Sequence, residues 1–253
     1  MATLAELMAF LEARLALPDD APEKDVPLLW RPATGGGEAN DLHRVGLALN
    51  ISPAVEGMAK QSRSETLFLH RPFELRADTL PGLPLLASHQ GFDAHLTLGY
   101  NPAIATALQL IEIEPLFRPD RPRDPVPVGM VGNKILPMTW SGWRGQVTQE
   151  FQGLDEAMMQ GDERAPIVRV VIMNALNPVL IALAAERGAT TYITGQMREG
   201  AREAARELGI SVLAVGHERI ERWGLRRLAC EIEQAFPGLK AKTLFDRLRT
   251  EQQ

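Results

Sequence analysis

Two short apolar segments of the chain each end at a histidine that is followed by an acid four residues later. The first segment contains His89 and Asp93, and the second contains His217 and Glu221. The whole chain has only five histidines, so two in the same local context stand out. An imidazole and a carboxylate just past a buried strand suit metal binding or acid–base chemistry. These residues are the first candidates for a functional site.

Each segment also has a plainer structural interpretation. If a helix starts near His217, then His217 and Glu221 lie one turn apart on the same face, as two metal ligands would. The alternative is a solvated helix start, where acids interact favourably with the helix dipole. Gly91 predicts that His89 and Asp93 lie in a loop, where the alternative to a metal site is a surface turn. The sequence His-Glu-x-x-Glu lacks the second histidine of zinc proteases, so protease chemistry is not supported.

A third histidine, His70, directly follows an apolar segment and precedes Arg71. Taken alone, a histidine in that place is more often a satisfied hydrogen-bond partner than a ligand. His70, His89 and His217 all follow predicted strands, however, and in parallel sheets functional groups gather at the carboxyl ends of the strands. A shared metal site is therefore one prediction. His95 could serve there as a ligand or as a neighbour of one.

The elements that would position these side chains alternate between strands and helices. Strands are predicted at 45–50, 65–69, 83–88, 128–135, 168–173, 190–194 and 210–215, and helices at 3–16, 53–60, 103–110, 179–187, 197–208 and 221–235. The pairs Ser52-Pro53, Asn101-Pro102 and Asn177-Pro178 are helix N-caps followed by proline in the first turn. This alternation predicts an α/β fold with largely parallel strand pairing.

The two halves of the chain share a spacing that predicts an internal duplication. Asn50 and Asn174 are 124 residues apart, as are His70 and Thr194, whereas His89 and His217 are 128 apart. The predicted halves are approximately residues 1–114 and 166–253, and a connector at approximately 115–165 joins them. Prolines at 115, 119, 122, 125 and 127 exclude a regular element from the first part of this connector. The stretch 140–158 is predicted to be mostly helical.

Composition narrows the function classes. The 253 residues carry a formal net charge of −5, which argues against coating nucleic acid or lying on a membrane surface. Cys230 is the single cysteine, so no internal disulfide forms, and it is predicted to be a buried small hydrophobe. Charged residues near the N-terminus interrupt any signal-peptide core, and we expect a cytoplasmic protein. The triplet Gly35-Gly36-Gly37 lacks the context of a phosphate loop and predicts a flexible turn.

Four stretches of the chain match a known pattern in their order and spacing, over about residues 43–235. They read LFLHRPF at 67–73, FDAHLTLGYN at 92–101, YITG at 192–195 and GHERIERWG at 216–224. In these stretches the chain resembles the Nif-three-like family, whose members carry the name GTP cyclohydrolase 1 type 2 homologue. The motif Gly-His-x-x-x-Glu-Arg-x-Gly is the most specific of the four.

The resemblance implies a two-lobed α/β protein that assembles into ring-shaped hexamers around dinuclear metal centres. It implies that His70, Asp93, His217 and Glu221 are metal ligands and that His89 lies in the same site, in proton transfer. The expected function is a metal-dependent hydrolase acting on a phosphorylated or nucleotide-like small molecule. The alternative is a metal-binding interaction or regulatory protein without catalytic turnover. Either would be a homo-oligomer without a membrane or nucleic-acid partner.

Two positions depart from the family pattern. Arg71 stands where a second histidine is usual, and Gln196 stands where many members have an acid. A guanidinium cannot ligate a cation, and it would repel a second divalent ion by roughly 4 kcal/mol for each unit of the ion's charge at about 4 Å and an effective dielectric constant of about 20. It suits a phosphate instead, so Arg71 is predicted to hold an anionic substrate group. The number of bound ions therefore stays open between none, one and two, with His89 or His95 as the replacement ligand for a second ion. The choice among Mn, Fe, Co, Ni and Zn stays open as well.

Overall fold

The structure is a computed structural model and describes residues 2–32, 41–73, 75–76 and 78–246. In chain order its elements are β1 (Ala2–Thr3), α1 (Leu4–Leu15), β2 (Leu29–Arg31), β3 (Asp41–Leu42), β4 (Arg44–Ala48), α2 (Pro53–Gln61), β5 (Thr66–Leu69), β6 (Leu85–Ala87), α3 (Gln90–Leu96), α4 (Pro102–Ala107), β7 (Leu110–Leu116), β8 (Gly129–Met138), α5 (Trp140–Phe151), β9 (Glu156–Met158), β10 (Ile167–Met173), α6 (Pro178–Glu186), β11 (Thr191–Thr194), α7 (Glu199–Glu207), β12 (Ser211–Ala214), α8 (His217–Ala235) and β13 (Lys240–Thr243). By its contacts the chain divides into two compact units, which are described separately.

The first unit comprises Met1–Leu17, Glu23–Phe92 and Glu221–Gln253. Its main sheet has the strand order β13-β4-β5-β6-β2, in which the first four strands are parallel and β2 is antiparallel. Helix α2 connects two parallel neighbours, β4 and β5, and begins where the Ser52 hydroxyl accepts a hydrogen bond from the N–H of Val55 at 3.2 Å. The parallel pairing brings the carboxyl ends of β5 and β6 to one edge, where His70 and His89 follow.

The second unit comprises Pro18–Pro22 and Asp93–Ile220. Its sheet has the order β7-β8-β10-β11-β12-β9, with β10, β11 and β12 parallel and the other strands antiparallel. Helices α6 and α7 connect the parallel strands, and a cluster of buried apolar side chains from these helices and the sheet forms the core. Asn177 caps α6 by accepting a hydrogen bond from the N–H of Leu180 at 2.9 Å.

These sheets confirm the predicted α/β class, and most predicted elements lie within a few residues of the observed ones. Among the described residues no helix is both long enough and apolar enough to cross a membrane. The internal duplication and the division into halves at about 114 and 166 stay predictions. The glycine triplet at 35–37 lies outside the described residues.

The prediction of a loop around Gly91 is wrong, because this segment forms helix α3. Asp25 is the reason: its carboxylate accepts hydrogen bonds from the backbone N–H groups of His89, Gln90 and Gly91 at 2.7, 3.1 and 2.9 Å and so starts the helix. The glycine is needed for close packing. A Cβ at position 91 would lie 2.1 Å from the backbone oxygen of Leu15.

Three smaller predictions also need correction. Pro115 lies in a strand, β7, which tolerates proline because it is the edge of its sheet. The stretch 140–158 is helical only to Phe151 and ends in strand β9, which pairs with β12. Cys230 is exposed, because it lies on the outer face of α8.

Candidate metal centre

His70 lies at the carboxyl end of β5, and its side chain is fully buried. Its Nδ1 is 3.3 Å from the backbone oxygen of Ser88, and its Nε2 is 3.2 Å from Oε1 of Glu221. When Nδ1 donates its proton to the Ser88 carbonyl, Nε2 becomes the nitrogen that can bind a metal. The strand end and the carbonyl together therefore orient His70 as a ligand.

Glu221 is only 1% exposed and contacts two residues of the segment after β5. Its Oε1 faces His70, and its Oε2 accepts a hydrogen bond from Nη2 of Arg71 at 2.6 Å. Glu221 lies one turn into α8, which begins at His217 as the helical interpretation of that motif required. Gly216 makes the sharp entry into this helix, because its φ of +102° is strained for other residues.

His89 lies directly against His70. The two rings are stacked, with centroids 4.9 Å apart and an interplanar angle of 15°. The ring of Phe92 also lies 4.5 Å from that of His70, and Phe73 contacts His89 edge-on at 5.4 Å. An aromatic ring thus contacts each imidazole, and of the two imidazoles that of His70 is buried and that of His89 is partly exposed.

Asp25 positions the segment that carries His89. Burial raises the pKa of its carboxyl group, but hydrogen bonds from the Ser88 hydroxyl and from the N–H groups of His89 and Gly91 outweigh burial and hold the pKa below its usual value. The ionised carboxylate therefore persists and fixes the start of α3. Sequence reasoning missed Asp25, because it lies in an irregular segment more than 60 residues before its partners.

Helix α3 places Asp93 one turn after His89. His70, His89 and Asp93 each offer one ligand atom, and these atoms all lie within 4.8 Å of one another. Two imidazole nitrogens and a carboxylate oxygen form a donor set that suits Mn, Fe, Co, Ni or Zn. This group could hold a metal ion.

His217 lies on a cavity of about 280 Å³ in the second unit. The cavity lies at the carboxyl ends of the parallel strands β10, β11 and β12. Its lining consists of Asn174, Ala175, Gly195, Gln196, Arg198 and His217.

Residues 79–251 match the sequence pattern of the family described as Duf34/NIF3 (NGG1p interacting factor 3), which is more than half of the chain. The chain belongs to the Duf34/NIF3 family. The Nif-three-like resemblance is thereby confirmed. The match includes His89, Asp93, His217 and Glu221 but begins after His70 and Arg71.

Several curated NIF3 relatives carry the name GTP cyclohydrolase 1 type 2 homolog. One from Allochromatium vinosum is 31% identical over 163 residues, which cover 64% of this chain and 61% of the relative. One from Pseudomonas aeruginosa is 30% identical over 185 residues, which cover 73% and 66%. The chain thus spans less than two thirds of the length of these relatives.

Solved structures of the NIF3 superfamily share the fold. A hypothetical protein of Staphylococcus aureus superposes with a TM-score of 0.74 at 15% identity and covers 99% of both chains. A Bacillus cereus protein related to NIF3 gives a TM-score of 0.67 at 16% identity and covers 98% of both chains. At these identities the likeness shows the fold alone.

In this NIF3 chain, the predicted site residues fall into three sets. His70, His89 and Asp93 form the metal-capable group, and Arg71 and Glu221 are paired beside His70. His217 lines the cavity of the second unit. The assignment of His217 and Glu221 as metal ligands stays a prediction, as do the roles of His89 in proton transfer and Arg71 in substrate binding.

Proposed function

We propose that this chain is a metal-binding protein that acts as a metal-dependent hydrolase on a phosphorylated or nucleotide-like small molecule. The observation that carries the proposal is the convergence of His70, His89 and Asp93 within 4.8 Å. The name of the curated relatives, GTP cyclohydrolase 1 type 2 homolog, supports the choice of substrate class.

The proposed ligands are His70 and Asp93, with His217 and Glu221 as further members. The fit rests on the donor set and on the orientation of His70, whose Nδ1 faces the Ser88 carbonyl at 3.3 Å. Its Nε2, which faces Oε1 of Glu221 at 3.2 Å, is then the nitrogen that can bind the ion. When bound, a divalent cation supplies the Lewis acidity that makes water a nucleophile at neutral pH.

His89 is the proposed general acid or base. Its ring lies against His70, so it is close enough to the site to exchange a proton with substrate or with water. Asp25 holds the backbone N–H of His89 at 2.7 Å and so fixes the residue at the start of α3. The imidazole therefore has a defined position from which to act.

Arg71 has two proposed roles. The first is to neutralise Glu221, whose Oε2 accepts a hydrogen bond from Nη2 of Arg71. The second is to contact an anionic substrate group, because the guanidinium has five N–H donors in all. Its Nε is buried and has no hydrogen-bond partner among the described residues. Because Arg71 already supplies a positive charge to Glu221, the site favours one divalent ion over two.

The Arg71–Glu221 pair also supports a second candidate, a metal-binding interaction or regulatory protein without turnover. A glutamate that is neutralised by arginine binds a metal less readily, and a weakened centre suits binding better than catalysis. The family description, which names an interacting factor, is compatible with this candidate.

A hydrolysis screen separates the two candidates. The untagged chain, stripped of metal and reloaded with Mn, Fe or Zn, would be tested on nucleotides and phosphate esters beside Asp93→Asn. The matched control is Glu207→Gln, which removes a carboxylate from an exposed position of α7. Metal-dependent turnover that Asp93→Asn abolishes and Glu207→Gln preserves supports the hydrolase. Stoichiometric metal without any turnover favours the binding protein, and turnover that survives Asp93→Asn excludes this site.

A further inference from the structure

The cavity of the second unit is built from the carboxyl ends of three parallel strands. Asn174 directly follows β10, Gly195 directly follows β11, and His217 comes shortly after β12. In open α/β sheets, this edge is where small ligands bind. The volume, about 280 Å³, is at the lower limit for small-molecule pockets, which begin at roughly 300 Å³. It therefore suits one polar group of a ligand better than a whole nucleotide.

Arg198 gives this cavity a positive charge that nothing in the described part of the chain neutralises. Its exposed guanidinium has no hydrogen-bond or ion-pair partner among the described residues, and no carboxylate belongs to the lining. The nearby arginine of the same helix, Arg202, is used differently, since it binds both Glu199 and Glu156. Glu199 is thereby held by Arg202, which leaves Arg198 to meet an anion from solution.

The remaining lining is polar and held in place. Asn174 donates from Nδ2 to the Thr97 hydroxyl at 3.0 Å, and that hydroxyl donates to the backbone oxygen of Asp93 at 2.6 Å. Tyr192 donates to the backbone oxygen of Ala175 at 2.6 Å, and burial raises the pKa of its phenol well above the usual value, so it stays protonated. A wall fixed in this way loses little freedom when a ligand binds.

Two further groups at this edge lack partners. No side chain caps the start of α7, so the N–H groups of Glu199 and Gly200 have no partner among the described residues, whereas that of Ala201 donates to the Arg198 carbonyl. The hydroxyl of Thr194, the residue before Gly195, is fully buried and has no hydrogen-bond partner among the described residues. Gln196, also exposed and on the lining, adds an amide.

We propose that this cavity binds the phosphate group of a small molecule, with Arg198 as the cation and the amides of Asn174 and Gln196 as hydrogen-bonding partners. A guanidinium suits phosphate because it donates two parallel hydrogen bonds. His217 is both a proposed metal ligand and part of the cavity lining, so a phosphate bound here could belong to the substrate of the proposed hydrolase. That assignment rests on the proposed function. The binding itself does not depend on the metal.

Inorganic phosphate is the probe that tests the cavity alone. It would be titrated into the full chain with and without a chelator, and followed by calorimetry and by amide chemical shifts. We expect saturable binding without metal that Arg198→Gln weakens roughly tenfold, since one charge-assisted contact is lost. Arg206→Gln is the control, because it removes the same charge from the exposed end of the same helix, about 12 Å away. It should leave phosphate binding unchanged.

Gly195→Ala gives a second test that does not alter charge. A Cβ there would lie at ordinary contact distances of 3.6 Å from Ile220, 3.7 Å from Nδ1 of His217 and 3.8 Å from Oδ1 of Asn174. The variant should therefore fold, but its methyl group would occupy the space between the imidazole and the amide. We expect it to weaken phosphate binding while leaving the unfolding midpoint close to that of the wild type.

The outcomes separate the cavity from the proposed function. If Arg198→Gln binds phosphate as the wild type does, or if acetate binds as well as phosphate, the proposal is wrong. Phosphate binding that needs added metal would place the anion at the metal and would also overturn the cavity proposal, while leaving the hydrolase intact. Phosphate binding in the cavity of a chain that binds no metal would retain the cavity and reject the hydrolase.

Discussion

The region around His70 and the cavity beside His217 differ in how their charged side chains are satisfied. Near His70 the charges are buried and paired, since Glu221 is 1% exposed and contacts both His70 and Arg71. In the cavity, Arg198 is exposed and has no partner among the described residues. A buried pair is a fixed part of the protein, whereas an exposed unpaired cation in a concave site is available to a ligand.

The difference between the two regions is clearest in one arginine from each, Arg71 and Arg198. Arg71 supplies Glu221 with a permanent positive charge. Arg198 lies at the start of α7, and its neighbour Arg202 binds the nearby carboxylates. We infer that Arg71 acts mainly within the protein and Arg198 mainly toward a ligand.

The largest expected effect comes from Glu221→Gln. The substitution keeps the shape of the side chain but leaves the Arg71 guanidinium without its anion and removes the carboxylate that faces His70, so we expect a loss of about 3 kcal/mol in the free energy of unfolding. Urea denaturation of the chelated protein measures it, with the exposed Glu12→Gln as the control. A loss below about 1 kcal/mol would mean that the buried pair does not stabilise this region.

The second effect concerns Asp25, which holds the start of α3 in the His70 region. Asp25→Ala removes the acceptors of four backbone N–H groups, three of them at the start of α3, and of the Ser88 hydroxyl, so we expect a loss of about 2 kcal/mol at neutral pH. Thermal unfolding near pH 7 measures this loss. Loss of less than about 0.5 kcal/mol would show that α3 does not need the carboxylate.

The same residue predicts a pH dependence. Its pKa in the folded protein lies below the usual 3.8, so its ionised form stabilises the fold above that pH, and this contribution disappears as the pH falls through the folded pKa. The difference in stability between the wild type and Asp25→Asn should therefore shrink as the pH is lowered from about 5 to about 2. A difference that is constant over this range contradicts the assignment.

Substitutions of Arg71 and Arg198 should have smaller effects on stability, and the two effects should differ. Arg71→Gln removes a partner of a buried carboxylate, but the guanidinium is 31% exposed and His70 remains, so we expect a cost of about 1 kcal/mol. Arg198→Gln should change stability by less than about 0.5 kcal/mol, because it breaks no internal contact among the described residues. Equal costs for the two substitutions would remove the distinction between them.

Local patterns in the sequence predicted most of the fold. The Ser-Pro and Asn-Pro pairs located helix starts because an N-cap and its proline are neighbours in sequence. Helix α3 was not predicted, because Gly91 was interpreted by its local flexibility. Its actual constraint is the backbone oxygen of Leu15, which is 76 positions away in the chain.

In the candidate site, too, contacts between residues that are distant in sequence were the part that local patterns could not predict. The strand-end positions of His70, His89 and His217 predicted a shared metal site. The structure brings His70 and His89 together with Asp93, whereas His217 lines the cavity of the second unit. The pairing of Arg71 with Glu221 could not be predicted, since it depends on how residues 150 positions apart meet in the fold. Asp25 belongs to no sequence motif, because its role depends on distant backbone N–H groups that donate hydrogen bonds to its carboxylate.

The central claim is that a divalent metal binds at the site where His70, His89 and Asp93 converge, and the metal content of the untagged chain tests it most directly. Elemental analysis after purification without chelator should find about one equivalent of a transition metal per chain, and Asp93→Asn should retain less than about a tenth. A wild-type content below about a tenth, which added Mn, Fe or Zn does not restore, would contradict the account.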